Sequence, residues 1–257
     1  MSFDQLHHQA EPLLLANVWD AASARAAKAA GYAAIGTSSA AIADMLGYAD
    51  GEGVSFAELI ALVSRLRAVT DLPLTVDVEA GYGETAEAVV ANLQNLAALG
   101  VVGVNLEDSV VRNGLRELLD GEAFALHLRD IRAGLQAISA AMFLNVRTDT
   151  FLLGVANTRA ETIARGRRYA ANGADGLFVP CATDEADIAA IVAGVSLPLN
   201  VMCMPNLPSF ECLAALGVKR ISMGNFLHGR VQQTLQQLLV AVRDEQSFQT
   251  VFDHAGH

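Results

Sequence analysis

Cysteine is scarce in this chain of 257 residues, and none of it is arranged to bridge. Cys181, Cys203 and Cys212 form no CxxC pair and cannot all pair with one another. That suits a reducing cytosol with thiols that are simply buried. Basic residues are few as well: 17 Lys and Arg stand against 28 Asp and Glu, a net charge of −11. A chain this acidic is a poor match for nucleic acid or an anionic membrane, although a local cation can still invert the field for a small anion. Residues 1–11 are polar, with no basic segment followed by an apolar one, so no signal peptide is expected. No uncharged apolar run reaches the length of a membrane span. His7, His8, His127, His228, His254 and His257 show no ligand spacing and read as surface or incidental residues. No GxGxxG follows an early strand candidate, which weakens the dinucleotide version of an open sheet. No low-complexity linker breaks the chain, and one domain over 1–257 is expected.

What is present is apolar and periodic. Hydrophobic residues make up 53% of the chain and charged residues 18%, enough to bury a large core. Eight short apolar runs read as strands: 13–18, 33–36, the run from Leu74, 102–106, 142–146, 176–179, 197–202 and 220–223. Helical patterns follow them, at about 21–30, 55–69, 85–99, 122–140 and 159–171, with shorter ones after the sixth and seventh strands. A long amphipathic pattern covers about 226–246. Ser55 with Glu58 has capping-box spacing, and Gly100 and Gly173 stand at helix ends. Eight strand–helix alternations in about 250 residues predict a (β/α)₈ TIM barrel, with a doubly wound open sheet as the alternative.

The stretch Leu74-Thr75-Val76-Asp77-Val78-Glu79 alternates with a period of two, which would send Asp77 and Glu79 to the same side. Gly81 and Gly83 then allow a sharp turn. In a TIM barrel the active site lies at the C-terminal strand ends. There the sequence places Ser38-Ser39, Asp77 and Glu79, Glu107 and Arg147, while the strand interiors look almost wholly apolar. Asp77, Glu79 and Glu107 converging on one rim would suit Mg²⁺, or Mn²⁺, bound partly through water; strand-capping ion pairs are the structural alternative. Arg147 offers a forked cation for a carboxylate or phosphate, and equally an ion pair with Glu79, Glu107 or Asp149. Ser38, Ser39 and Ala40 would present backbone N–H groups to an anion or form a plain polar turn. Asp50, in a Gly-rich loop, could reach the rim or remain solvated.

Several stretches carry a resemblance: Asn17-Val18-Trp19-Asp20, Ile35-Gly36-Thr37-Ser38-Ser39, Asp77 to Gly83, Asn105-Leu106-Glu107-Asp108-Ser109, Asn145-Val146-Arg147-Thr148-Asp149 and Leu216 to Gly224. With these the chain resembles the isocitrate lyase/phosphoenolpyruvate mutase superfamily over nearly its whole length. The resemblance implies a Mg²⁺-dependent enzyme that forms or consumes the enolate of a small 2-oxo or 2-hydroxy acid. It also implies a barrel whose last helix is exchanged with a neighbouring subunit, in a homodimer or homotetramer. By position, Asp77 is the chief metal-side carboxylate, Glu79 and Glu107 hold the ion through waters, and Asp50 matches a family acid. Glu79 stands where the family has Asp. Ser38, Ser39 and Ala40 match the segment that holds the substrate carboxylate, and Arg147 matches an arginine that steadies substrate oxygens.

The segment after the fourth strand departs from the pattern. Isocitrate and methylisocitrate lyases carry Lys-Lys-Cys-Gly-His there, whereas this chain has Val110-Val111-Arg112-Asn113-Gly114-Leu115-Arg116, without cysteine or lysine. Asn113 aligns loosely with a loop asparagine of the phosphonate branch, and Pro180 stands where a phosphonate-handling histidine is expected. The expectation is a cytoplasmic Mg²⁺-dependent lyase that cleaves a C–C bond in, or decarboxylates, a small di- or tricarboxylate. Arg147, Glu107 and Asn113 are the catalytic candidates, and the loop 108–121 would close over the site, with Arg112, Asn113 and Arg116 as candidates for its polar contacts. Phosphonopyruvate-type P–C chemistry and a non-catalytic 2-oxo acid binding protein are the alternatives.

Overall fold

Short buried strands and capped helices alternate until the sheet closes on itself. The computed structural model describes residues 2–51 and 53–252. A 3-10 turn (Asp4–His7) leads into β1 (Leu13–Val18), α1 (Ala21–Ala29), β2 (Ile35–Thr37), α2 (Ser39–Leu46), α3 (Phe56–Arg67), β3 (Leu74–Asp77), α4 (Ala86–Ala98) and β4 (Gly103–Glu107). A hairpin, β5 (Ser109–Arg112) and β6 (Leu115–Leu118), comes next, then α5 (Gly121–Ala137), β7 (Phe143–Arg147), α6 (Thr158–Ala171) and β8 (Gly176–Phe178). The chain ends in α7 (Glu185–Gly194), β9 (Leu199–Met202), α8 (Phe210–Ala215), β10 (Arg220–Ser222), α9 (Phe226–Glu245) and α10 (Gln249–Phe252). Eight parallel strands pair in the closed order β1-β10-β9-β8-β7-β4-β3-β2, the expected (β/α)₈ barrel.

Local chemistry explains the two elements that strand–helix counting does not supply. Ser38 caps α2 by accepting from the Ala41 N–H, and Gly47 ends it at φ +81°, where no Cβ is in the way. The segment 39–46, read from the sequence as turn and loop, is therefore helix. In the polar segment after β4, Asn113 and Gly114 both have positive φ, 52° and 76°. That is the pairing a two-residue hairpin turn requires, and it lets β5 and β6 fold back on each other.

The barrel interior is more polar than the strand pattern suggested. Asn17, Thr75, Asn105, Asn145, Asn200, Arg220 and Ser222 are all buried. Gly36 belongs to the same interior: a Cβ there would lie 2.7 Å from Leu15 and 3.0 Å from Thr75. The outward strand faces, with Val76, Val104, Leu106 and Val146, pack against the helices in one large apolar core. A separate cluster of Phe3, Leu13, Leu15, Ala34 and Phe143 plugs the N-terminal end.

Two histidines read as incidental are buried instead. The His7 ring stacks on Phe143 at 4.3 Å, and its Nδ1 lies 3.0 Å from the Phe3 carbonyl. His228, in the first turn of α9, sits edge-on to Trp19 and pairs with Asp44 at 2.8 Å. His254 and His257 lie outside the described residues. Beyond its first turn α9 leaves the barrel side, and Leu227, Val231, Leu235 and Leu239, four residues apart, are exposed on it.

Burial, helped by Arg220, lowers the His7 pKa to about 3. A base depressed from 6.5 binds fewer protons folded than unfolded, so its stabilising contribution is complete above about 6.5 and declines as pH falls toward 3. Acidification from pH 7 to 4 should therefore cost the wild type about 3 kcal/mol that a His7→Phe variant does not lose, as measured by urea unfolding at the two pH values.

Candidate active site

At the C-terminal ends of the strands lies a cavity of about 190 Å³. Its walls include Asn17, Ser38, Ser39, Ala40, Asp50, Asp77, Asn105, Arg147, Phe178, Ser222 and Asn225. Six of the nine candidate residues therefore line one space: Ser38, Ser39, Ala40, Asp50, Asp77 and Arg147. They come from β2 and the start of α2, the loop after α2, β3 and β7, elements far apart in sequence that barrel closure brings together.

Asp77 ends β3, where the Thr37 hydroxyl accepts from its backbone N–H at 2.8 Å. Its Oδ2 accepts from the Ser39 N–H at 3.2 Å and the Ser39 hydroxyl at 2.8 Å. No ion pair engages Asp77 among the described residues, and it lines the cavity. At the start of α2 the Ser39 N–H is taken by Asp77 and the Ala41 N–H by Ser38, while Ala40 between them lines the cavity.

Glu79 and Glu107 take other positions. The strand ends at Asp77, and Glu79 has φ +50°, so the alternation that would have aligned it with Asp77 is broken. Glu79 is buried outside the cavity wall and accepts from the Tyr82 hydroxyl at 3.3 Å. Glu107 is buried between two guanidinium groups. Arg147 Nη1 is 2.9 Å from Oε2, and Arg116 Nη1 donates to Oε1. Burial pushes the Glu107 carboxyl up to about 7, while Arg147 and Arg116 pull against that rise. Arg147 also donates to both oxygens of Asp149, at 2.7 and 3.1 Å. Burial opposes the charge on Arg147, but Glu107 and Asp149 outweigh it and hold the group firmly protonated.

Arg116, on the hairpin, ties the mouth together. Besides Glu107 it reaches the Ser109 hydroxyl at 2.9 Å, Asp149 at 3.3 Å and Asp50 at 3.2 Å. The hairpin touches the Asp50 loop again where Gly51, at φ +101°, faces Val111; a Cβ there would fall 2.4 Å from the Val111 side chain. The hairpin is thus tied to the rim beside the cavity, whose lining includes Asp50 but no residue of 108–121. Asn113 does not belong to the site: it occupies the exposed hairpin tip, where its left-handed backbone serves the turn. Asp108 faces away from the cavity and accepts from Thr148, Arg165, Tyr169 and the Asp149 N–H.

A three-carboxylate metal centre is not what this geometry offers. Among the described residues, no group of three or more His, Cys, Asp and Glu side chains is placed to hold an ion. The donors do fit a smaller arrangement. Mg²⁺ keeps much of its water and is commonly held by one or two carboxylates together with the substrate. Asp77 supplies one such carboxylate on the cavity wall.

Asn105, Asn17 and Asn225 escaped the sequence reading, which sought charge at strand tips. A signal was present: Asn105 and Asn145 each stand two residues before the tip residues Glu107 and Arg147, on the same face of paired strands.

The family model for phosphoenolpyruvate phosphomutase matches residues 3–243. A crystal structure from Burkholderia cenocepacia J2315, provisionally named a phosphonomutase, is 40% identical, with a TM-score of 0.86 over 92% of this chain and 97% of that one. An uncharacterized protein of Mycobacterium tuberculosis (strain ATCC 25618 / H37Rv) is 35% identical over 225 residues, 88% of this chain and 82% of the relative. An oxaloacetate decarboxylase of Bradyrhizobium sp. (strain BTAi1 / ATCC BAA-1182) is 30% identical over 237 residues, 88% of this chain and 79% of the relative. The fold is shared with a phosphonopyruvate hydrolase solved with oxalate and Mg²⁺, at 19% identity and a TM-score of 0.85 over 100% of this chain and 92% of that one.

The arginine network generates a contrast between two neighbours on the hairpin. Arg116 is 14% exposed and sits among buried acids, whereas Arg112 is 63% exposed and lies 3.5 Å from Glu117. Arg116→Met should lower the unfolding free energy by about 1–3 kcal/mol, because Glu107 and Asp149 lose one charged donor while Arg147 still pairs with both. Arg112→Met should stay within about 0.5 kcal/mol of wild type in the same urea titration.

Proposed function

The chain belongs to the phosphoenolpyruvate phosphomutase family, within the isocitrate lyase/phosphoenolpyruvate mutase superfamily, and from that premise we propose a Mg²⁺-dependent lyase acting on a small 2-oxo dicarboxylate, oxaloacetate being the leading candidate. The observation that carries this reading is the meeting of Asp77, Arg147 and the start of α2 around one cavity. At about 190 Å³ the cavity is smaller than the usual space for a drug-sized ligand or cofactor, and it suits a short acid. The kinship with an oxaloacetate decarboxylase points to the same substrate class.

Asp77 would hold the ion, with Glu79 able to contribute through water. Once bound, Mg²⁺ would polarise the 2-oxo group and stabilise negative charge on its oxygen. The Ala40 N–H at the start of α2 would seat the substrate's first carboxylate. Arg147, locked by Glu107 and Asp149, cannot swing, so its charge is preorganised toward the oxygen that becomes the enolate. For decarboxylation, the electron pair of the breaking C–C bond passes to that oxygen, CO₂ departs, and one proton is taken up at carbon to give the 2-oxo acid product. Closure of the hairpin from the rim over the mouth would keep bulk water from the charged intermediate.

The first test is a Mg²⁺-dependent turnover screen over oxaloacetate, hydroxy-tricarboxylates and phosphonopyruvate. Pyruvate release from oxaloacetate is expected, abolished by chelator and by Asp77→Ala. Arg147→Met should lower kcat by about 10²–10³-fold, the loss typical of one well-placed donor. Phosphate release from phosphonopyruvate would instead favour P–C chemistry. Oxalate binding without turnover of any substrate would favour a binding protein.

The apolar stripe of α9 bears on assembly. Leu227 and Val231 border an open groove of about 570 Å³ lined by Ala22, Ala26, Ala27, Ala30 and Tyr32 of α1 and its exit. We propose that this groove receives α9 of a second copy, giving the exchanged-helix homo-oligomer that the family resemblance implies. The wild type should run as a dimer or larger in light scattering, and Leu235→Asp with Leu239→Asp should shift it to monomer.

A further inference from the structure

We propose that Asn105 donates a hydrogen bond from its side-chain amide to the bound acid, and that Arg220 is the positioning residue that keeps the amide turned for this. The proposal rests on the lyase reading of the cavity and adds a substrate-contacting residue to it.

Asn105 and Arg220 stand on β4 and β10, four strands apart around the eight-stranded barrel and so on opposite sides. Arg220 nevertheless reaches Asn105, with Nη2 3.3 Å from Oδ1. Its guanidinium therefore crosses the barrel interior beneath the cavity, and the side chain is 1% exposed. Asn145 Nδ2 donates to the same Oδ1 at 2.9 Å. Asn145 in turn donates to Asn200 Oδ1 at 3.0 Å, and Asn200 donates to the Ser222 hydroxyl at 3.1 Å.

The oxygen and nitrogen of an amide can usually exchange places at little cost. Here they cannot. Arginine is a pure donor, so whatever faces Arg220 must be an acceptor. Flipping Asn105 would turn its NH₂ group against the guanidinium and lose both bonds to Oδ1. With Oδ1 committed downward, Nδ2 is the atom left for the cavity, whose wall Asn105 helps to form. No hydrogen bond within the described residues uses Asn105 Nδ2. A donor fixed at the floor complements Asp77, an acceptor at the rim, and matches the oxygen-rich surface of a small carboxylic acid.

Oxalate with Mg²⁺ is the probe, titrated calorimetrically into wild type, Asn105→Asp, Asn105→Ala and Arg220→Met. Aspartate at 105 keeps an acceptor for Arg220, so this variant should melt no lower than wild type, yet it offers an oxygen where the acid needs a donor. Oxalate binding is expected to weaken at least 10-fold in Asn105→Asp, more than in Asn105→Ala. Arg220→Met removes a buried charge and frees the amide to turn. Binding should weaken several-fold without a matching fall in Tm, which separates positioning from mere support of the fold. Asn105→Asp binding oxalate as tightly as wild type would overturn the inference while leaving the lyase reading intact. A wild type that binds neither oxalate nor any substrate in the turnover screen would overturn both.

Discussion

A buried carboxylate needs a cation or several donors, and the mouth of this barrel is organised by how that need is met. Glu107 and Asp149 are gripped by Arg147 and Arg116, and Asp108 is held by Arg165 with three further donors. Asp77 is treated differently. It accepts from Ser39, makes no ion pair among the described residues, and borders the cavity. The acids and arginines beside it pair with one another and form a rigid frame, while Asp77 borders the cavity without a direct ion pair among the described residues, although Arg147 and Arg220 both feel its charge. This division between framing acids and a working acid is the constraint from which the site follows.

The frame also explains why the hairpin matters. A loop of glycines and charges would rest loosely on the mouth, but Asn113-Gly114 turns the segment back on itself and aims Arg116 inward. Val111 fits against Gly51, so the hairpin and the Asp50 loop meet through both packing and charge. The chain lacks the cysteine-bearing gating motif and has in its place a short sheet latched by arginine. Beneath the mouth the polar interior continues the same logic, with amide side chains and Arg220 oriented by one another across the barrel.

The barrel was legible in the sequence because its strands are apolar runs and its helices are capped and periodic, and most element bounds fell within a few residues. The cluster of Ser38, Ser39, Ala40, Asp77 and Arg147 was legible too, since tips of adjacent strands must meet. What escaped was set by tertiary contacts. The period-two rule failed at Glu79 because the strand had already ended and the backbone turned left-handed. Glu107 was a metal candidate by type, but it pairs with Arg147, the alternative the sequence left open, and with Arg116 nine residues on. Asn113 looked chemical and proved to be a turn former. His7 touches Phe3 four residues back, but Phe143 and, for His228, Trp19 complete their burial from far along the chain.

The central claim, that Asp77 is the carboxylate left open for a divalent ion and its acid ligand, is tested most directly by Mn²⁺ binding followed by electron paramagnetic resonance in the presence of oxalate. The account predicts that the wild type removes free Mn²⁺, that Glu79→Gln still does so, and that Asp77→Asn does not. Undiminished Mn²⁺ binding by Asp77→Asn would contradict it.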